Sequence, residues 1–313
     1  MGVPKGKWIA GVRPDDLASE AGRQALERRL ELVAHYLTRA ADQRPEAEDI
    51  HQLRVASRRA EAALDAYGEL LDPVEAPWFA KKLRQVRKAA GDARELDVLC
   101  DKLNERARQA TDGQWKSLVK RVRRLRDDAH QPIRAIERKL HRRRFHRRID
   151  DFIDSVEWRD ATREEITFAA LAREQLERVM QPFLVDAKGT FPDVDALHAF
   201  RIHGKSVRYA IEIFASAFGP ELRAEVYKLI EELQAKLGEI NDHVTALARY
   251  LEWGASWDDT SVRELIETLI QEEKSQLDYA RREFHAWWNS DHAEDLERRF
   301  VTALQSSPAA DDD

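Results

Sequence analysis

Two stretches of this chain, HQLRVASRRAEAALDAYGELLDP (residues 51–73) and HAFRIHGKSVRYAIEIFASAFGP (residues 198–220), align without a gap at an offset of 147. In the first, Leu53, Ala56, Ala60, Ala63, Leu64 and Tyr67 recur at helical spacing, and the proline after the last aspartate stops the helix. The same offset pairs Lys81 with Lys228, and GDARELDVL at Gly91 with GEINDHVTA at Gly238. GRQALERR at Gly22 pairs with AREQLERV at Ala172 at an offset of 150. Two blocks at one offset indicate a tandem duplication of a four-helix unit. The expected fold is all-α: two four-helix bundles packed face to face about a pseudo-two-fold axis.

Working outward, residues 1–14 read as an irregular lead-in, 15–157 as the first repeat, 158–305 as the second and 306–313 as a disordered tail. In the first repeat, Asp15 or Asp16 is expected to cap a helix at Leu17–Ala40, and Asp49 a second one reaching Leu71. A third is expected from Trp78 to Arg108, and a fourth from beyond Asp112-Gly113 to Val156, kinked or broken at Pro132. The second repeat predicts helices at Ala161–Val185, Val194–Phe218, Glu221–Tyr250 and Ser261–Trp288, then a short one at Glu294–Leu304.

Composition limits the function classes. Only 12 Gly and 10 Pro punctuate a chain with 35% charged residues, as suits long amphipathic helices. No apolar run is long enough to span a membrane, and no secretion signal is read at the N-terminus, so a soluble cytoplasmic protein is expected. The single cysteine, Cys100, excludes an internal disulfide and a cysteine-based zinc site, and reads as a small buried residue. The net charge of −6 hides an asymmetry: residues 1–150 hold 34 Lys and Arg against 24 Asp and Glu, and the remainder is strongly acidic. Gln114–Ile149 alone holds 14 Lys and Arg against three acids.

His51, Arg54 and Arg58 are spaced i, i+3, i+7, as are His198, Arg201 and Lys205, with Arg208 one turn on; each set therefore lines one helix face. Lys81, Arg84 and Lys88 repeat the spacing on the next helix, with Arg87 extending it, whereas Glu231 and Ala235 leave only Lys228 in the second copy. Like charges stacked in this way repel, so a stripe without carboxylates of its own favours an external anion. Solvated surface cations explain any one of these residues, but they have no reason to recur in register.

These residues carry a resemblance. HxLRVxxRR at His51, HxxRIxxKxxRY at His198, the Gly-centred segments GDARELDVL and LGEINDH, and the WIAGVRPDD lead-in resemble the CHAD domain, the conserved-histidine α-helical domain, over nearly the whole chain. The resemblance implies two four-helix bundles around a basic channel or groove that binds inorganic polyphosphate, in some members at polyphosphate granules. It is to a stand-alone member, since no ExExK motif of the triphosphate-tunnel (CYTH) domain is present. It implies ligand contacts from His51, Arg54, Arg58, Arg59, Lys81, Arg84, Lys88, His198, Arg201, Lys205, Arg208 and Lys228. Gly91, Arg94, Asp97, Gly238, Asn241 and Asp242 read as support, the glycines for close helix approach and the polar residues for orienting the cations. Arg87, Arg143, Arg144 and Arg147 are candidates for extending the track, although the basic stretch around them is as well suited to docking on the acidic half. Glu61 stands where the second copy has Arg208, and Glu231 opposite Arg84, so the two tracks are expected to be unequal.

A row of Arg forks and Lys ammoniums suits a ligand with a charge on every phosphate. The eight Trp are not interleaved with the stripe, which argues against single-stranded nucleic acid. No enzyme activity, metal or cofactor is expected. The alternatives are a metal-dependent polyphosphate or triphosphate hydrolase using Asp97 or Asp242, and a nonspecific RNA-binding or scaffold protein. A di-iron bundle is suggested only by Glu48-x-x-His51, and arginines on the same face would repel the metal. A phosphotransfer histidine lacks its His-x-x-Lys-Gly context.

Overall fold

In the first half, α1 (Ala18–Ala40) and α2 (Ala47–Ala66) form an antiparallel pair, and α3 (Glu75–Ala89) lies on α2. α4 (Gly91–Gln109) and α5 (Gly113–Ala129) form the next pair, and α6 (Gln131–Arg142) and α7 (Phe145–Asp154) return onto α1 and α3. The second half runs α8 (Phe168–Ala187), α9 (Val194–Phe214), α10 (Tyr227–Ser256), α11 (Thr260–Trp287) and α12 (Ser290–Gln305), each of the first three packed on the next and α12 on α8. This computed structural model describes residues 6–110, 113–257 and 260–306, and among them there is no strand, only a bridge between Leu17 and Thr167. Residues 1–5 of the lead-in, Asp112, and the tail beyond Ser306 lie outside the described residues. Among those described, no helix is long and apolar enough to cross a membrane.

Local chemistry explains where the boundaries depart from expectation. Leu17, not an aspartate, precedes α1; Asp16 instead accepts from Arg13 N at 2.7 Å, and Glu165 of the other half accepts from Ser19 N at 2.7 Å. Asp49 is the third residue of α2 and forms a capping box with Glu46. The expected Trp78–Arg108 helix breaks at Ala90, whereas its counterpart α10 is unbroken after a π-helical turn at Leu222–Val226. The expected fourth helix is three helices. Pro132 opens α6, as its missing N–H allows. A second break, unmarked by Gly or Pro, occurs at Arg144, whose φ of 52° is left-handed. α8 starts at Phe168 because Thr167 caps it, while Asp160 turns the chain ahead of it by accepting from Thr162 N at 2.9 Å.

Two cores result, and each draws on both halves. The larger joins Leu26, Leu53, Phe79 and Phe152 to Phe183, Phe214 and Leu296. The smaller joins Leu99, Cys100 and Val122 of α4 and α5 to Tyr250, Trp253 and Ile266 of α10 and α11. Cys100 is buried there as a small apolar residue. Among the described residues the halves meet chiefly at α2 against α9 and at α5 against α11, with α1 touching α8 beside the Leu17–Thr167 bridge.

A buried ion pair fastens the α2–α9 crossing. The Glu212 side chain is 0% exposed and that of Arg59 13%. Arg59 donates from both Nε (2.6 Å) and Nη2 (3.1 Å), and Tyr227 OH donates at 2.7 Å. Arg208 Nε lies 3.6 Å from the same carboxylate. Arg59, for which the resemblance implied a ligand contact, thus commits Nε and Nη2 to a structural fastening.

The glycines also differ from expectation. A Cβ on Gly238 would meet nothing within 4 Å, so close approach is not its role. A Cβ on Gly91 would touch only the Arg54 guanidinium, at 3.2 Å. The tight approach is at Gly204 of α9, which abuts Gln234 and the Phe183 ring; Gln234 Nε2 in turn donates to Arg201 O at 3.1 Å.

Two predictions follow from this packing. Gly238→Ala should leave stability unchanged or raise it by about 0.5–1 kcal/mol, while Gly204→Ala should lower it by about 1–3 kcal/mol through overpacking, both measured by denaturant unfolding. Arg59→Ala and Glu212→Ala should each cost about 3–5 kcal/mol, and the double mutant less than their sum; strict additivity would show that the pair is not coupled.

Candidate anion-binding site

α2 presents His51, Arg54 and Arg58 along one side, and α9 presents His198, Arg201, Lys205 and Arg208. Because the two helices are held together by Arg59 and Glu212, these rows converge: Arg58 faces both Arg201 and Lys205, and Arg54 lies close enough to Lys205 to repel it. Among the described residues, Arg54, Arg58, Arg201 and Lys205 have no carboxylate at ion-pairing distance, and the buried Nε of Arg201 has no hydrogen-bond partner.

The electrostatic consequence is largest at Lys205. Burial, then Arg58, Arg201, Arg208 and Arg54, push its ammonium down to about 6. Burial and Arg58 lower the Arg54 and Arg201 pKa values as well, with Glu95 and Asp242 respectively opposing. His51 is lowered by burial and by Arg94, so its imidazole is neutral at pH 7.

Of the supporting residues, Arg94, Asn241 and Asp242 lie near members of the two rows, whereas Asp97 does not. Arg94 acts on His51, and Asn241, the residue 147 further along, accepts from His198 Nδ1 at 3.1 Å. Asp97 is fully buried and takes the Nε–H of Arg126 on α5, with His130 packed over it. It therefore ties α5 to α4.

Beyond Arg58 and Lys205 the groove widens into a cleft of ≈ 570 Å³ between α2, α3, α8 and α9, with Ala62, Val179 and Phe214 among its apolar lining. Arg87 and Arg178 line it, and so do Glu61 and Asp65, both carboxyls raised by burial. Arg84 bears on both acids. Arg87, expected to extend the track, is paired with Glu61 at 3.3 Å, so the acid and the extra cation largely offset each other. Glu231 is drawn away to Lys7 of the lead-in, at 3.1 Å. Lys81, Arg84, Lys88 and Lys228 are exposed on α3 and α10, as is His198 on α9. Arg143, Arg144 and Arg147 are not brought into this groove; they lie around the α6–α7 turn, and α6 and α7 pack on α1 and α3.

Two residues that matter to this geometry escaped the sequence reading. Glu212 looked like an ordinary helix acid, and only its position within YAIEIF, an otherwise apolar run, hinted at burial. Arg178 enters through α8, where no cation pattern marks it.

Comparisons with known proteins agree with the geometry. The fold is similar to the crystal structure of the CHAD domain from the plant Ricinus communis, with a TM-score of 0.69 and 22% identity over 90% of this chain and 96% of that one. It is also similar to PptA from Streptomyces chartreusis, with a TM-score of 0.57 and 17% identity over 87% of this chain and 99% of that one. No curated protein matches the sequence. The model of the CHAD domain family matches residues 24–251, which include both cation rows and the Glu212 fastener that sets them side by side, and the chain belongs to that family.

Proposed function

We propose that this protein binds inorganic polyphosphate in the groove between α2 and α9, without turning it over. The observation that carries this reading is the cluster of Arg54, Arg58, Arg201 and Lys205, half-buried and without carboxylate partners among the described residues. Such a cluster is destabilising unless an anion enters, and a linear ligand with a charge at each phosphate satisfies several members at once. The association of CHAD domains with polyphosphate supports the same choice. In this reading Arg54, Arg58, Arg201 and Lys205 are the central contacts and Arg208 a shared one, while Arg84 and Lys228 flank the groove. His51, neutral at pH 7, donates or accepts a hydrogen bond rather than adding charge.

The experiment is a polyphosphate titration across a salt series, with RNA and short phosphates as competitors. Arg54→Ala plus Arg201→Ala should weaken binding roughly 100-fold and reduce the dependence of log K on log salt by about 0.7 per lost contact. Unchanged affinity in that variant would remove the site. Release of orthophosphate in the presence of magnesium would favour the hydrolase alternative, and equal competition by RNA the nonspecific one.

Lys205 adds a pH signature. Its free-state pKa of about 6 leaves it mostly neutral at pH 7.5, and a bound phosphate would raise that value. Binding should therefore take up close to one proton at pH 7.5, and affinity should fall as pH rises through the bound-state pKa. Calorimetry in buffers of different ionisation enthalpy measures the uptake, and Lys205→Met should abolish it.

A further inference from the structure

The basic stretch from Gln114 to Ile149 separates into two parts with different commitments. Lys116, Lys120 and Arg124 of α5 are exposed, but its other three cations are used internally: Arg121 lies over the Trp257 ring at 4.0 Å, Arg123 donates to Asn104 at 2.6 Å, and Arg126 is held by Asp97. Those around the α6–α7 turn are not. Arg138, Lys139, Arg142, Arg143, Arg144 and Arg147 are all exposed, and among the described residues none has a carboxylate at ion-pairing distance. Arg148 alone is paired, with Glu75 at 2.8 Å.

Two further observations point to an anion there. Lys82 of α3 is 5% exposed, yet its ammonium has Gln85 Oε1 at 3.1 Å and no carboxylate partner among the described residues, while Lys139 and Arg143 bear on it from α6. Arg144 holds a left-handed backbone (φ 52°) at the turn that carries these residues, a conformation that costs free energy and gathers at ligand-binding positions.

We infer that the α6–α7 turn, with Lys82 beneath it, is a second phosphate-binding surface, which engages only polyphosphate chains long enough to leave the α2–α9 groove and cross α3. The route is set by α3: Lys81, Arg84 and Lys88 are exposed along it, and Lys82, the neighbour of Lys81, meets Lys139 and Arg143. α6 and α7 pack on α1 and α3, whereas α9 packs on α2, so a chain filling only the central groove does not reach the turn. A chain that spans both sites binds the second one intramolecularly, at high effective concentration, and gains affinity with length.

The surface does not suit nucleic acid or an ordinary protein interface. Its Trp78 ring is covered by the Arg148 guanidinium at 4.1 Å, and Phe145 is buried, so among its described side chains only the small imidazoles of His141 and His146 are exposed to a base. No large apolar side chain between Arg138 and Arg148 is exposed to anchor a protein partner.

This inference rests on the central groove holding polyphosphate, and its test is kept separate from that reading. The variant is Lys139→Gln, Arg143→Gln and Arg147→Gln, three exposed side chains with no described partner, titrated with size-fractionated short and long polyphosphate. The expected result is unchanged affinity for short chains and at least a tenfold loss for long ones. The salt dependence for long chains should fall by about two units, at roughly 0.7 per lost contact. An equal loss at both lengths, no loss at either, or a larger loss for single-stranded RNA than for long polyphosphate would overturn it. Arg54→Ala plus Arg201→Ala, read on short chains, tests the central groove independently. If that variant binds short chains normally while the turn variant still loses long ones, the groove reading fails and the turn binds phosphate on its own, so the proposed route out of the groove is overturned.

Discussion

One carboxylate inside the protein governs how close its cations can come. Glu212 on α9 has no exposed surface, and Arg59 of α2 and Tyr227 of α10 both donate to it. A buried charge without such partners would be expensive, so the three groups hold each other in position and hold α2 against α9. The consequence lies one turn away. Arg54 and Arg58 on one helix and Arg201 and Lys205 on the other approach without a carboxylate of their own, and burial, together with that repulsion, depresses the ammonium of Lys205. In the proposed function, that electrostatic strain is what an entering anion would relieve.

The same argument sorts the remaining cations. Arg59, Arg87, Arg126 and Arg148 each face a carboxylate and so contribute to the scaffold. Among the described cations that face no carboxylate, one group gathers in the α2–α9 groove and another around the α6–α7 turn. Composition alone would have assigned the greatest binding role to the densest basic stretch, yet much of α5 is occupied with Trp257, Asn104 and Asp97. Charge density along a chain is a poor guide to free charge, because a single acid on a neighbouring helix cancels a cation.

The offset of 147 was informative about neighbours as well as about sequence. Arg94 acts on His51 as Asn241 does on His198, and Glu95 acts on Arg54 as Asp242 does on Arg201. Departures between the halves are equally physical. Glu61 replaces a cation and is offset by Arg87, and Ala90 interrupts a helix whose counterpart α10 is continuous. The first half thus supplies more of the cations near the groove, on α2 and α3, with α9 completing it.

The sequence by itself determined the helical fold, the family, and which helix faces carry the cations, because helical period and repeat offset are written along the chain. Most helices lay close to where apolar spacing put them, and the proline break at α6 was visible; the break at Arg144 was not, since a left-handed arginine has no one-dimensional signature. Only the tertiary structure decided which cations are free. Arg59 and Arg58 are adjacent in sequence, yet one faces Glu212 and the other faces Lys205, and that difference depends on a helix more than a hundred residues away. Gly204 rather than Gly238 proved to be the close approach for a related reason: steric room is a property of the facing helix, not of the glycine.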